Sequence, residues 1–224
     1  AKEQQFLKQA MEYISLVKPS RFAPFAGTYT LGSRLAKLTN YRGVPSVSYA
    51  AEYLNEAVKG ASKGIHLEQF DTFDCMSGVI TKSGMTFDLS REQYVEKISK
   101  EALDYDNDNW NDEELVDLIV QAHRRFKSKA KEIEFKSATK LVVRSENIAF
   151  QLGTDSEVEI IPVDSNLNEP YVRIDVDHNL LHRLLRGPRY AHWNNAEIGS
   201  HLTYLRKPNN FERGLYHCMC FLHA

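Results

Sequence analysis

Ten residues near the C-terminus, His192-Trp193-Asn194-Asn195-Ala196-Glu197-Ile198-Gly199-Ser200-His201, form the densest cluster of potential ligands and hydrogen-bonding groups in the chain. His192, Glu197 and His201 carry the donor atoms that zinc takes. Glu197 and His201 would share one helix face if the segment were helical throughout, and Gly199 argues against that continuity. In the alternative, Trp193 is a core anchor whose indole N–H finds an acceptor, and Asn194, Asn195 and Glu197 are helix-capping groups. As ligand contacts the segment offers Trp193, Asn195, Glu197 and His201. His217, Cys220 and His223 pose the same choice between a metal and one face of a terminal helix.

A second candidate is the glycine-flanked, hydroxyl-rich loop from Thr28 to Ser33, containing Tyr29 and Thr30. Such a turn after the C-terminal end of a strand is where α/β folds place ligand contacts, and Arg34 beyond it suits an anionic substrate. Its alternative is an ordinary strand-to-helix turn with Ser33 as N-cap. Cys75 lies in an apolar stretch and reads as inert. The chain has no HxHxDH stretch, GxGxxG, GxxxxGK or GxSxG, so no strong local motif names a reaction.

Composition narrows the class. The 224 residues are 42% hydrophobic, enough for a buried core, and 28 Lys+Arg against 30 Asp+Glu give a net charge of -2. Neither nucleic acid nor an anionic membrane surface is an expected partner. Three cysteines fit no disulfide framework and no secretory segment opens the chain, which predicts a cytoplasmic setting. No apolar run reaches the roughly 18 residues that cross a bilayer. The chain opens on Ala1-Lys2 and runs directly into a helix, the expectation for a processed or shortened chain.

Helical spacing of Leu7, Ala10, Met11, Ile14 and Val17 predicts a first helix stopped by Lys18-Pro19. A strand over Arg21 to Phe25 ends at a turn on Ala26-Gly27, and Pro45-Ser46 starts a helix with Val47, Ala50, Ala51, Leu54 and Val58 inside. One or two strands are expected in Ile65 to Ile80, then a helix opened by the Ser90-Arg91-Glu92-Gln93 capping box. The acidic stretch Asp104 to Asp112 lacks the glycine and the final glutamate of a calcium loop and reads as a solvated interdomain linker. Beyond it come a helix on Leu115, Leu118, Ile119, Ala122 and Phe126, and a basic run from His123 to Lys136 that reads as a solvated face. A hairpin turning at Ser145-Glu146-Asn147 follows, then strands at Val158–Ile160 and Val172–Val176. An Asp177-capped leucine helix and a final helix carrying Phe211, Leu215, Cys218, Met219 and Leu222 complete the chain. The division is 1–104, an α/β portion, and 113–224, an α+β domain with a mainly antiparallel sheet packed by helices.

The stretch Lys18-Pro19-Ser20-Arg21-Phe22-Ala23-Pro24-Phe25-Ala26-Gly27 resembles the strand and turn that lie late in metallo-β-lactamase-fold hydrolases of the divergent branch containing the sialic-acid-nucleotide hydroxylases. Trp193 to His201 with Arg206-Lys207-Pro208 is similar to the tail of some of those chains, and the element order of the second half resembles a sterol carrier protein-like domain. The resemblance implies a C-terminal fragment of a metal-dependent hydrolase that itself lacks the metal-binding motif and is inactive alone. Zinc or iron would then belong to a longer parent protein, with no cofactor in this chain. A small-molecule substrate would be reached through the parent enzyme, and a homo-oligomer is expected. Two further readings are an apolar-ligand module, with its ligand between the sheet and the Leu180 and Phe211 helices, and a dimerisation module.

Overall fold

A computed structural model describes residues 2–25, 29–41, 43–86 and 88–224. It is an α/β protein with a mixed five-stranded sheet, two small two-stranded sheets and, among the described residues, eight helices. The chain divides into two compact units, Ala1–Glu101 and Ala102–Ala224.

In the first unit, helix α1 (Lys2–Val17) lays Leu7 and Ile14 against Ala50 and Leu54 of α2 (Val47–Ala57). Small alanines on α2 let the two helices approach. Ser46 caps α2 by accepting from the Tyr49 amide, and Val17, expected inside, stands 70% exposed. The strand expected through Phe25 is only β1 (Arg21–Phe22), paired in parallel with β2 (Lys63–Gly64). A Cβ at Gly64 would lie 2.7 Å from the Phe22 ring, so any larger residue there would push that ring aside. The Asn55 side chain accepts from the Gly64 N–H at 2.6 Å and donates to its carbonyl at 3.1 Å, completing the pairing that so short a strand cannot. The Ala26-Gly27 turn lies outside the described residues.

The Ile65 to Ile80 stretch yields only β3 (Thr72–Phe73) and β4 (Ile80–Thr81), an antiparallel pair. Polar anchors, rather than a core, organise it. Asp71 accepts from the Lys82 ammonium and from the backbone amides of Ser83 and Glu68, which holds its carboxyl at about 2. Cys75 sits exposed in the turn between these strands; the apolar neighbours that suggested a strand make no core around it. Helix α3 (Arg91–Ser99) opens on the Ser90–Gln93 capping box and packs against a 3-10 helix over Ser33–Tyr41, yet buries no residue of its own.

In the second unit, α4 (Asp112–Glu132) buries Leu115, Ile119, Ala122 and Phe126 completely, while Asn111 caps it by accepting from the Glu114 amide. Strands β5 (Lys140–Arg144), β6 (Ala149–Leu152), β7 (Glu159–Ile161), β8 (Tyr171–Asp175) and β9 (Thr203–Lys207) run in the spatial order β7-β6-β5-β8-β9. Three of the four pairings are antiparallel, and the central β5–β8 pair is parallel. Leu141, Val143, Phe150, Leu152, Val172 and Ile174 form the inner face under α4, α5 (His178–Arg186) and α7 (Arg213–Met219). Phe211, expected on the terminal helix, precedes α7 and is 63% exposed, while Cys218 is a fully buried core residue.

The leucine helix shows how densely this core is filled. Leu181, Leu184 and Leu185 are 0% exposed, so no water-sized void lies beside them, and each contributes roughly 2 kcal/mol by burial. Asp177 starts this helix by accepting from the amides of Asn179 and Leu180, and Gly187 at φ 109 ends it. Asp177→Ala should lower the stability of this unit by about 1 kcal/mol, read by urea denaturation.

The acidic stretch is largely exposed, as expected, but it belongs to the second unit rather than linking two domains. Arg183 on α5 binds Asp108 Oδ2 through Nε at 2.6 Å and Asp104 Oδ2 through Nη1 at 2.7 Å. The Trp110 ring lies flat on His182, with centroids 3.9 Å apart and planes 4° from parallel. Asn179 donates to the Asp108 carbonyl at 2.9 Å. Charge pairing and ring stacking fasten residues 104–112 along α5, inside the second unit. In the basic run that follows, His123 is 1% exposed and its Nε2 lies 2.9 Å from the Gly153 carbonyl, so the solvated face excludes this residue.

Candidate functional site

The residues of the 192–201 segment do not converge on a common point. His192 is the N-cap of the short helix α6 (Trp193–Ile198), its Nδ1 accepting from the Asn194 amide at 3.1 Å. Trp193 is 1% exposed and donates through Nε1 to the Leu222 carbonyl at 2.8 Å, the role of a core anchor. Asn194, Asn195 and Glu197 face outward. The helix stops at Ile198, Gly199 follows as its C-cap, and Ser200 takes a left-handed φ of 61. That break carries His201 off the Glu197 face and onto Tyr105, whose hydroxyl lies 2.7 Å from Nδ1.

The residues therefore do not fit a zinc ion. Among the described residues no three His, Cys, Asp or Glu side chains gather into a metal-holding group. His217 packs its ring edge on Phe221, and the His223 ring abuts Gly187. Cys220 hydrogen-bonds through Sγ to the Tyr216 carbonyl. Burial pushes the thiols of Cys218 and Cys220 upward, which keeps both protonated at neutral pH and removes them as nucleophiles.

A strongly apolar concavity lies instead in the first unit. A groove of about 560 Å³ runs between α1, β1 and α2, with Phe6 and Tyr13 on one wall, Pro45 and Val47 on another, and Phe25 and Tyr29 at the rim. Phe25 is 85% exposed, Tyr13 58% and Phe6 51%. The amphipathic spacing of α1 accounts for one wall: Leu7 and Ile14 point at α2, and the aromatic neighbours at positions 6 and 13 line the opening. Among the described residues no charged side chain lines the groove, so the chemistry they offer is apolar contact with a polar handle at the tyrosines.

Of the loop residues suggested by the sequence, Tyr29 borders this groove; Thr28 lies outside the described residues. Thr30 and Ser33 are half-buried and Arg34 is exposed; none of the three lines it. Ser33 is the first residue of the 3-10 helix with a φ of 50, so it does not take the extended N-cap conformation expected of it. Phe6, Tyr13, Pro45 and Val47 were readable only as parts of helix patterns and a turn; the adjacency of two aromatics to buried α1 positions was their only signal. Comparison of the chain with family models, curated proteins and solved structures returns no match.

Proposed function

We propose that this chain is the part of a metallo-β-lactamase-fold, metal-dependent hydrolase that lies outside the metal centre, followed by a sterol carrier-like α+β domain. The observation that carries the reading is the imbalance of the first unit. Fourteen of the twenty large hydrophobic residues that stand exposed among the described residues precede Glu101, while its main core is built on Leu7, Ile14, Ala50 and Leu54. Apolar area left in water forgoes about 25 cal/mol per Å² of stabilisation, so a face of this kind belongs against another surface. The KPxxxxPFAG-like stretch supplies part of that face, since Phe22, Ala23, Pro24 and Phe25 all line the groove. In this reading the covering surface is the metal-binding half of the parent, which brings the HxHxDH motif and zinc or iron. The substrate is a small molecule handled by the parent, and the chain alone is inactive.

The test is elemental analysis of the purified 224-residue chain beside a longer chain carrying the preceding sequence of the same gene. The reading predicts no stoichiometric metal in the shorter chain and about two equivalents in the longer one. Stoichiometric metal in the shorter chain, or none in either, would contradict it.

The groove also favours one second reading, an apolar-ligand or dimerisation module of a larger protein. The leucines of α5 are completely buried against the sheet, whereas the groove of the first unit is open and apolar, which favours the groove as the place for an apolar ligand. Sedimentation of the short chain over a hundredfold concentration range tests self-association, and a dimer that Phe6→Ser dissociates would favour this second reading, because the hydrolase reading leaves the groove to the metal-binding half.

A further inference from the structure

The sheet of the second unit has an outer face, turned away from the helices, that alternation alone would leave in water. It does not lie open. Val142 and Ala149 are each 1% exposed and Tyr171 is 6%, because the segment 162–167 between β7 and β8 folds over them. Between that segment and the strands remains a predominantly polar cleft of about 370 Å³, a size for a small molecule and not for a macromolecule.

Its cations are unevenly satisfied. Asp175 holds two guanidinium groups: Arg144 Nε at 2.6 Å and Arg173 Nη2 at 3.2 Å. Arg144 also donates through Nη1 to the Val163 carbonyl at 3.2 Å, tying the strand to the covering segment. The Arg173 Nε is buried and has no acceptor among the described residues. Lys207, paired in register with Tyr171, lines the cleft and makes no ion pair among the described residues. Asp164 on the covering segment is the one carboxylate among the described lining residues, and Asp175 pairs with the two arginines from beside the cleft, so three cations meet two anions. A buried guanidinium N–H without an acceptor is costly, and a planar fork beside an ammonium matches an oxyanion.

We propose that this cleft binds a compact oxyanion, the carboxylate or phosphate group of a small molecule. Arg173 and Lys207 grip the anion. Asp175 fixes both arginine planes in place, and the apolar lining from Leu167 and Leu205 accepts the body of the ligand. The site is separate from the groove of the first unit and does not depend on the hydrolase reading.

Inorganic phosphate and, separately, acetate would be titrated into the full 224-residue chain and followed by NMR at the arginine Nε–H signals and the amides of residues 163–167. Saturable shifts are expected at concentrations on the order of millimolar. Saturation by phosphate alone assigns a phosphate ester, by acetate alone a carboxylate, and by both a general oxyanion site. Lys207→Gln should weaken binding severalfold and Arg173→Lys about tenfold by removing the planar fork. Lys127→Gln, at a lysine paired to Glu157 and outside the cleft, should leave binding unchanged. Lys207 is exposed, so its variant folds whatever becomes of the Arg173 variant. Absence of saturable shifts, or shifts that Lys207→Gln leaves at wild-type strength, would overturn the proposal.

Discussion

Replacing Trp193 with alanine is expected to destabilise the second unit by about 4 kcal/mol, measured by urea denaturation. The indole is 1% exposed and packs within the cluster that includes Leu181, Leu184, Leu215 and Leu222, so truncation leaves a cavity that the surrounding side chains fill only in part. It also strands the Leu222 carbonyl, which accepts from Nε1 at 2.8 Å. Trp193→Phe separates the two contributions: it keeps most of the volume and should cost about 1–3 kcal/mol, chiefly for the lost hydrogen bond. A stability change near zero for Trp193→Ala would mean that the indole is free for a ligand.

Acid should weaken the same unit well before its carboxylates protonate. Burial holds the imidazoles of His123, His182 and His223 below the ordinary value of 6.5, although Glu114 beside His182 pulls the other way. Between the depressed folded value and 6.5 the unfolded chain binds more protons than the folded one, so stability rises with pH in that window. The stabilisation from neutral imidazoles is therefore complete above about pH 6.5 and is lost as pH falls through the folded values. Asp108, held low first by its hydrogen bond from Arg183, adds a further loss only at more acidic pH, below the ordinary 3.8. Denaturation midpoints should hold level from pH 7.5 to about 6.5 and fall from there to pH 5, and His123→Gln should flatten part of that slope. A midpoint that is constant or rises on acidification would contradict the burial of these rings.

Periodicity made the second unit legible. The α4 stripe, the Ser145-Glu146-Asn147 hairpin and the Asp177-capped leucine helix all appear where 3.6- and two-residue spacing put them, because each buries one regular face in a common core. The first unit was legible only in α1, α2 and α3. Phe70, Met76 and Val79 look like strand residues in the sequence but stand more than half exposed, since no second layer covers them among the described residues. Charge patterns misled for a different reason: Asp104 and Asp108 are spaced like a solvated acidic run, and their partner Arg183 lies more than seventy residues away in sequence. The oxyanion cleft had no sequence signature, because Arg144, Arg173 and Lys207 come from three strands whose adjacency only the β5–β8–β9 pairing creates. The zinc reading of His192, Glu197 and His201 failed on a single backbone feature, the turn at Gly199-Ser200.

Amide hydrogen exchange in the purified chain measures how incomplete the core of the first unit is. Amides of α1 and α2 should exchange at least a hundredfold faster than those of β5 and β8, a difference of about 3 kcal/mol in opening free energy. Under the proposed hydrolase function, α1 and α2 should gain protection in a longer chain if a metal-binding half covers the groove. Equal protection of the two units in the short chain would contradict it, since a unit that protects its amides as well as the packed sheet domain needs no covering surface.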